Sequence, residues 1–535
     1  MNNKKITIFD STLRDGAQAE GISFTVEDKI KIARALDAIG IDYIEAGNPG
    51  SNPKDLAFFA QLCGADSQEN ALKHSKLIAF GSTRRKGIQA SEDSNVAAIL
   101  EAGVDAVCIF GKSWDFHVTE ILRAELDENL AMIKDTIGFF KERGKEAFFD
   151  AEHFFDGYKN NPDYAMKALE AAYEGGADAL VLCDTNGGCF PTEIFEIVSK
   201  VVAKFDTTIG IHTHNDCEMA VANSIMAVEA GATQVQGTFT GFGERCGNAN
   251  LSAIIPSLQI KKGYDCIFPE ALEMITKTAR YVSEIANISH YERAAYTGAS
   301  AFAHKGGMHI DGVTKAAESF EHINPEAVGN QRKYLMSEVA GRSLLLAKIQ
   351  QVNPALAKDS PETLEIINQL KELEQKGYQF EGAESSFALY IRKQLGKYKP
   401  LFELVNFKTI GEQPHAEGLG ASAMIKITVN DQVEITAAEG NGPVNALDKA
   451  LRKALEKFYP ELANVHLTDF KVRVLDSTSA TESRVRVLLE SSDGKESWTT
   501  VGVSTDIVEA SWLALVDSIE YKLIQDIEQK FKAYL

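Results

Sequence analysis

From residue 4 to about 240, short β-branched apolar runs alternate with longer stretches whose apolar residues recur at helical spacing. The runs 6–10, 42–46, 76–81, 106–110, 146–152, 179–184, 208–214 and 234–238 predict strands. The stretches 26–39, 95–102, 120–143, 162–174, 191–205 and 219–230 predict amphipathic helices. Thr25 with Asp28 three residues on has the form of a capping box, and Gly40, Gly103, Gly175 and Gly231 stand where helices give way to strands. Eight β-then-α units over this length imply an α/β fold, a TIM-type (β/α)8 barrel filling residues 1–265. The alternative is an open doubly wound sheet, but no G-x-G-x-x-G follows the first strand.

The texture then changes twice. Residues 266–400 read as a helical linker region, with helices expected at 270–285, 337–349 and 362–376 and a hinge at 353–361 carrying Pro354 and Pro361. From 401 to 535, strands 421–429 and 432–438 lead into a helix at 444–458. Strands 465–475, 484–490 and 497–503 then lead into a second helix at 507–530. Two strand-rich blocks, each closed by a helix, read as an internal duplication. Such an α+β module suits regulation, binding a small effector or a copy of itself; a stabilising lid is the plainer alternative.

Composition limits the partners. A net charge of −21 argues against nucleic acid or an anionic membrane as a ligand, so an anionic substrate must be met by locally placed cations or metal. The 7 cysteines are scattered with no C-x-x-C, so neither a disulfide framework nor a zinc knuckle is expected. Asp10 interrupts the first apolar run, which is not a signal peptide, and no run reaches the length of a membrane span. A cytoplasmic protein with reduced thiols is the expectation.

On such barrels, chemistry sits at the C-terminal strand ends. Strand seven ends in Ile209-Gly-Ile-His-Thr-His-Asn-Asp216, and positions two apart on a strand share a face, so His212 and His214 project together. Two imidazoles suit a divalent metal, and Asp15 after strand one and Asn248 after strand eight can complete the ligand set. Two imidazoles and a carboxylate leave positions open for a chelating substrate. Arg14 suits a carbonyl or carboxylate oxygen, Thr185 a substrate carboxylate, and Glu152 a base or a water-positioning group. His309 and Asp311, two apart among glycines, could form an oriented pair. Each has a plainer reading: surface histidines, an Arg14–Asp15 loop pair, a helix-capping threonine, a rim ion pair at Glu152, and a loop hydrogen bond.

Together, Arg14-Asp-Gly-Ala-Gln18, His212-Thr-His-Asn-Asp216, Gly243-Glu-Arg-Cys-Gly-Asn-Ala249 and His304-Lys-Gly-Gly-Met-His-Ile-Asp-Gly312 resemble the 2-isopropylmalate synthase/homocitrate synthase/citramalate synthase family. Gly50-Ser-Asn-Pro-Lys-Asp55 and the stretch from Val501 to Trp512 are similar to its long citramalate synthases, from which Asn48 departs where an aromatic residue is usual. The resemblance implies a Claisen-type condensation of acetyl-CoA with pyruvate and water, and a divalent Zn, Mn or Mg ion on Asp15, His212, His214 and Asn248. It implies that Arg14 stabilises the developing alkoxide and that Thr185 holds the carboxylate. It also implies that His309, oriented by Asp311, and Glu152 share deprotonation and thioester hydrolysis. A homodimer with shared sites and an isoleucine-binding C-terminal domain are implied as well. The alternatives are a 2-isopropylmalate synthase acting on 2-oxoisovalerate, an acyl-CoA lyase, and a metal-bound sensor without turnover.

Overall fold

The computed structural model describes residues 4–63, 72–335, 349, 360–412, 420–475, 483–494 and 496–534. Eight parallel strands, β1 (Thr7–Asp10), β2 (Tyr43–Gly47), β3 (Lys76–Ser82), β4 (Ala106–Lys112), β5 (Glu146–Glu152), β6 (Ala179–Asp184), β7 (Thr208–Thr213) and β8 (Gln234–Gly237), close into a barrel in chain order. β1 pairs with both β2 and β8, which excludes the open sheet. The strands are buried on both faces because helices cover the outside and side chains fill the inside; all six residues of β6 are buried. Phe9, Ile78, Cys108 and Phe148 form one apolar cluster, with Tyr43 and Phe80 packed against it.

The first helix, Val26–Ile39, has both capping-box bonds between Thr25 and Asp28 and ends at Gly40, whose φ of 87° lies in the left-handed region that glycine adopts without strain. The helix expected over 120–143 is broken. A π-helical turn spans His117–Leu122, Arg123 turns left-handed (φ 53°), and a new helix runs Leu126–Lys141. An L-residue in that conformation cannot continue a right-handed ladder, and hydrophobic spacing does not reveal it. The stretch 270–285 likewise begins as a 3₁₀ turn, Pro269–Met274, before the helix Ile275–Ile285. That helix buries Ile275, Ala279 and Val282 in the main core of the barrel unit. The unit therefore extends past residue 265, to Ala303, and takes in Glu321–Lys333.

The second unit comprises His304–Phe320 and Tyr334–Leu535. Within it lie the helices Gly307–Lys315, Pro361–Gln375 and Glu384–Gln394. The expected helix 337–349 and hinge 353–361 fall outside the described residues, apart from Ile349, Ser360 and Pro361. The duplication is plain in the backbone. Strands Glu403–Gly411, Ala421–Val429 and Gln432–Gly440 form one antiparallel sheet closed by helix Pro443–Leu455. Strands His466–Val474, Val485–Ser492 and Ser497–Ser504 form a second, closed by Ile507–Tyr534. Each sheet carries a register shift at the same place in its first strand, between Leu404 and Asn406 and between Leu467 and Asp469. Strand Glu403–Gly411 escaped the hydrophobic pattern because it is an edge with seven of its nine residues exposed.

Among the described residues no helix is long and apolar enough to cross a membrane, and all seven cysteines are unpaired.

Asp10, at the end of β1, is fully buried and accepts from Thr12 N and Thr12 Oγ1, both at 2.9 Å. Burial pushes its carboxyl from 3.8 up to about 7, against the bonds from Thr12. A carboxyl raised in the fold favours the folded state fully below pH 3.8, and that contribution is lost as pH rises through about 7. Asp10→Asn does not titrate. It is expected to gain on the parent by about 1.4 kcal/mol per pH unit between about pH 4 and 7, and the difference should level off above about pH 7. Thermal unfolding of both proteins across the range checks this; a constant offset would contradict it.

Candidate active site

The turn after β1 is built by backbone bonds from Arg14 N and Gly16 N to Ser11 O, which set Arg14 and Asp15 over the mouth of the barrel. On β7, Gly210, His212 and His214 share a parity. A Cβ on Gly210 would stand 2.7 Å from Gln234 Oε1, so the glycine makes room inside the barrel. His214 forms an antiparallel bridge to Asn248, which brings the loop after β8 against the same strand end.

His212 Nε2 lies 3.5 Å from Asp15 Oδ2 and 3.4 Å from His214 Nε2. One ligand atom from each of Asp15, His212 and His214 falls within 4.8 Å of the others, and all three residues are buried. Asn248 Nδ2 donates to Asp15 Oδ1 at 3.1 Å. His214 Nδ1 and Asn248 Oδ1 are buried with no hydrogen-bond partner. Burial, then the neighbouring His212, pushes His214 down to about 4, so this imidazole is neutral at pH 7. Burial works against ionisation of Asp15, but Arg14 and the two imidazoles outweigh it and hold the carboxylate at about 2. A neutral imidazole, a second imidazole nitrogen facing it and an ionised carboxylate are the donor set a divalent metal requires, so the residues fit one.

Arg14 is fixed on three sides. Nε bonds Glu45 Oε2 at 2.6 Å, Nη1 bonds Asp15 at 3.1 Å, and the guanidinium lies 3.7 Å over the Phe80 ring. Glu45, wholly buried, also accepts from Ser11 Oγ. Burial lowers the Arg14 pKa, yet Glu45 and Asp15 carry it above the ordinary value, so the charge is permanent.

These groups open on a cavity of about 230 Å³, lined by Arg14, Asp15, Glu152, Thr185, His212 and His214 among others. Thr185 Oγ1 accepts from His153 N at 2.9 Å, which leaves its O–H to donate, and it caps no helix. Glu152 is ion-paired with Lys112, so the plainer rim-pair reading holds alongside its place in the cavity. His309 and Asp311 lie in the second unit, on helix Gly307–Lys315 rather than on a loop, and both are exposed. Asp311 bonds Lys315 Nζ at 2.6 Å, while the His309 ring packs on Phe320 at 4.6 Å between centroids. Residues two apart on a helix point to different sides, so the expected orienting of His309 by Asp311 is not formed. Asn48 lines an adjoining cavity of about 280 Å³ that shares Arg14, Gln18 and Phe80 with the first.

Glu45 and Asp150 stand among the polar residues at the strand ends, but neither they nor Gln236 could be given a role from the sequence. Their signal was a polar residue at an inward position of a strand where a barrel layer calls for an aliphatic one. Glu45, Cys108 and Asp150 also lie close enough to share a metal. However, Glu45 is committed to Arg14 and Ser11, and burial pushes the Cys108 thiol well up.

Residues 5–290 match the HMGL-like family, 296–378 the homocitrate synthase post-HMGL domain-like family and 381–523 the LeuA allosteric (dimerisation) domain. The chain belongs to the HMGL-like family. It is 52% identical to the (R)-citramalate synthase of Geobacter sulfurreducens, over 97% of each chain. It is 51% identical to that of Aquifex aeolicus, over 98% of this chain and 99% of the other. The probable 2-isopropylmalate synthase of Methanopyrus kandleri is 31% identical over 96% of this chain and 98% of its own. That step in identity groups the chain with citramalate synthases, which are acyltransferases, rather than with 2-isopropylmalate synthases.

Proposed function

We propose that the protein joins acetyl-CoA to pyruvate, forming a carbon–carbon bond between the acetyl methyl and the keto carbon. Water then cleaves the thioester, and (R)-citramalate and CoA leave. The convergence of Asp15, His212 and His214 in one cavity with Arg14 and Thr185 carries this reading. Asp15, His212 and His214, with Asn248 beside them, would hold a divalent ion, which would supply Lewis-acid polarisation of the 2-keto acid. Imidazoles favour Zn, while the oxygen ligands also suit Mn or Mg. Arg14, pre-aligned by Glu45 and Phe80, donates to the keto oxygen as negative charge gathers on it. Thr185 donates to the substrate carboxylate. Glu152 and His309 divide the removal of the methyl proton and the activation of water; His309 is an exposed imidazole that a second copy of the chain can present. In this reading residues 1–265 carry the chemistry, 266–400 supply His309 and Asp311, and 401–535 dimerise and bind isoleucine. The match to the LeuA allosteric (dimerisation) domain supports the last of these.

A CoA-release assay with pyruvate, 2-oxobutyrate and 2-oxoisovalerate tests the assignment. One or two methylenes in an apolar pocket are worth about 1–3 kcal/mol, so pyruvate should lead by about 10-fold or more. Isoleucine should inhibit. Faster turnover of 2-oxoisovalerate would move the protein to the 2-isopropylmalate synthases.

A further inference from the structure

Behind the metal-binding face of His212 runs a buried chain of hydrogen bonds. His212 Nδ1 lies 3.0 Å from Gln236 Oε1, and Gln236 Nε2 donates to Asp150 Oδ1 at 3.0 Å. Gln236 is fully buried, and Asp150 and His212 nearly so. His212 and Gln236 are directly paired across β7 and β8, whereas Asp150 reaches them from β5. A carboxylate accepts and cannot donate, so Asp150 turns the Gln236 amide to present Nε2 to it and Oε1 to the histidine. An amide oxygen in turn demands a proton on Nδ1. The Nε2 lone pair is then left on the side of Asp15 and His214.

We propose that Gln236 and Asp150 are positioning residues that set the tautomer and ring orientation of His212 for the metal. The inference rests on the metal reading above. Neither side chain lies among the proposed ligands, and each acts through the next. A hydrogen-bonded partner behind a ligating histidine sets its basicity as well as its aim, and its loss typically costs 10–100-fold in metal affinity. The neighbouring Glu45 does not substitute for Asp150, because it is held by Arg14 and Ser11.

The chain has a direction, and reversing its polarity tests it. Gln236→Met keeps the volume and removes both bonds; its Zn²⁺ affinity, measured by competition with a chromophoric chelator, should fall by about 10–100-fold. In Asp150→Asn either amide orientation is allowed, so tautomer selection is lost and affinity should fall several-fold. In Asp150→Asn/Gln236→Glu the new amide donates to the new carboxylate, which still accepts from Nδ1, so affinity should return to within about threefold of the parent. A role in packing alone predicts no such rescue, since the double variant changes two buried residues rather than one. The ¹⁵N spectrum of histidine-labelled, metal-free protein gives an independent reading: His212 should carry its proton on Nδ1 in the parent and the double variant, and be mixed in Asp150→Asn. Equal Zn²⁺ affinity in all four proteins, or a double variant weaker than either single one, would overturn the inference while leaving the metal site standing. A parent protein that binds no Zn²⁺ would overturn the metal reading and this inference with it.

Discussion

Arg14→Lys is expected to lower kcat for citramalate formation by about 10²–10³ while the protein keeps its metal. Lysine preserves the charge, but it is a point cation on a flexible stem without the fork that reaches Glu45, Asp15 and a substrate oxygen together. It also gives up the contact of the guanidinium over the Phe80 ring, 3.7 Å from its centroid. Losing one pre-aligned donor to a developing oxyanion costs about 10²–10³ in rate. The loss should fall on kcat more than on KM for pyruvate, because the bond strengthens as charge develops. Steady-state kinetics beside a metal assay separate the two, and unchanged kcat would remove Arg14 from the chemistry.

His212→Ala is the second large effect. It should strip metal and activity together while the barrel stays folded. The side chain sits at the end of β7, and the core that holds this strand is formed by Ile209 and Ile211 on the opposite parity. Removing one of three ligands leaves Asp15 and His214, too few to hold a divalent ion tightly at micromolar protein. Far-UV circular dichroism should match the parent, metal content should fall to background, and CoA release should be abolished. A variant with full activity would show that the ion, if present, does no work here.

Much of this was legible along the chain. Strands β5 and β6 begin and end where the short apolar runs place them, and His212 and His214 share a face because a strand has period two. Asp15 was recoverable because a barrel delivers all its C-terminal strand ends to one rim. What escaped was whatever depends on a partner distant in sequence or on a single backbone angle. Gln236 makes sense only beside Asp150, 86 residues away, and Glu45 only beside Arg14. The break at Arg123 is one left-handed residue inside an otherwise helical spacing. The pairing of Asp311 with Lys315 follows from a helix where the glycines around His309 had suggested a loop.

The proposed chemistry depends on one cation shared between the first and seventh strands. Anomalous diffraction from crystals of the protein loaded with Zn²⁺ would locate that ion. A single strong peak is expected about 2.0–2.2 Å from a carboxylate oxygen of Asp15 and a ring nitrogen of each of His212 and His214. A peak elsewhere with these three side chains uncoordinated, or none at all in active protein, would contradict it.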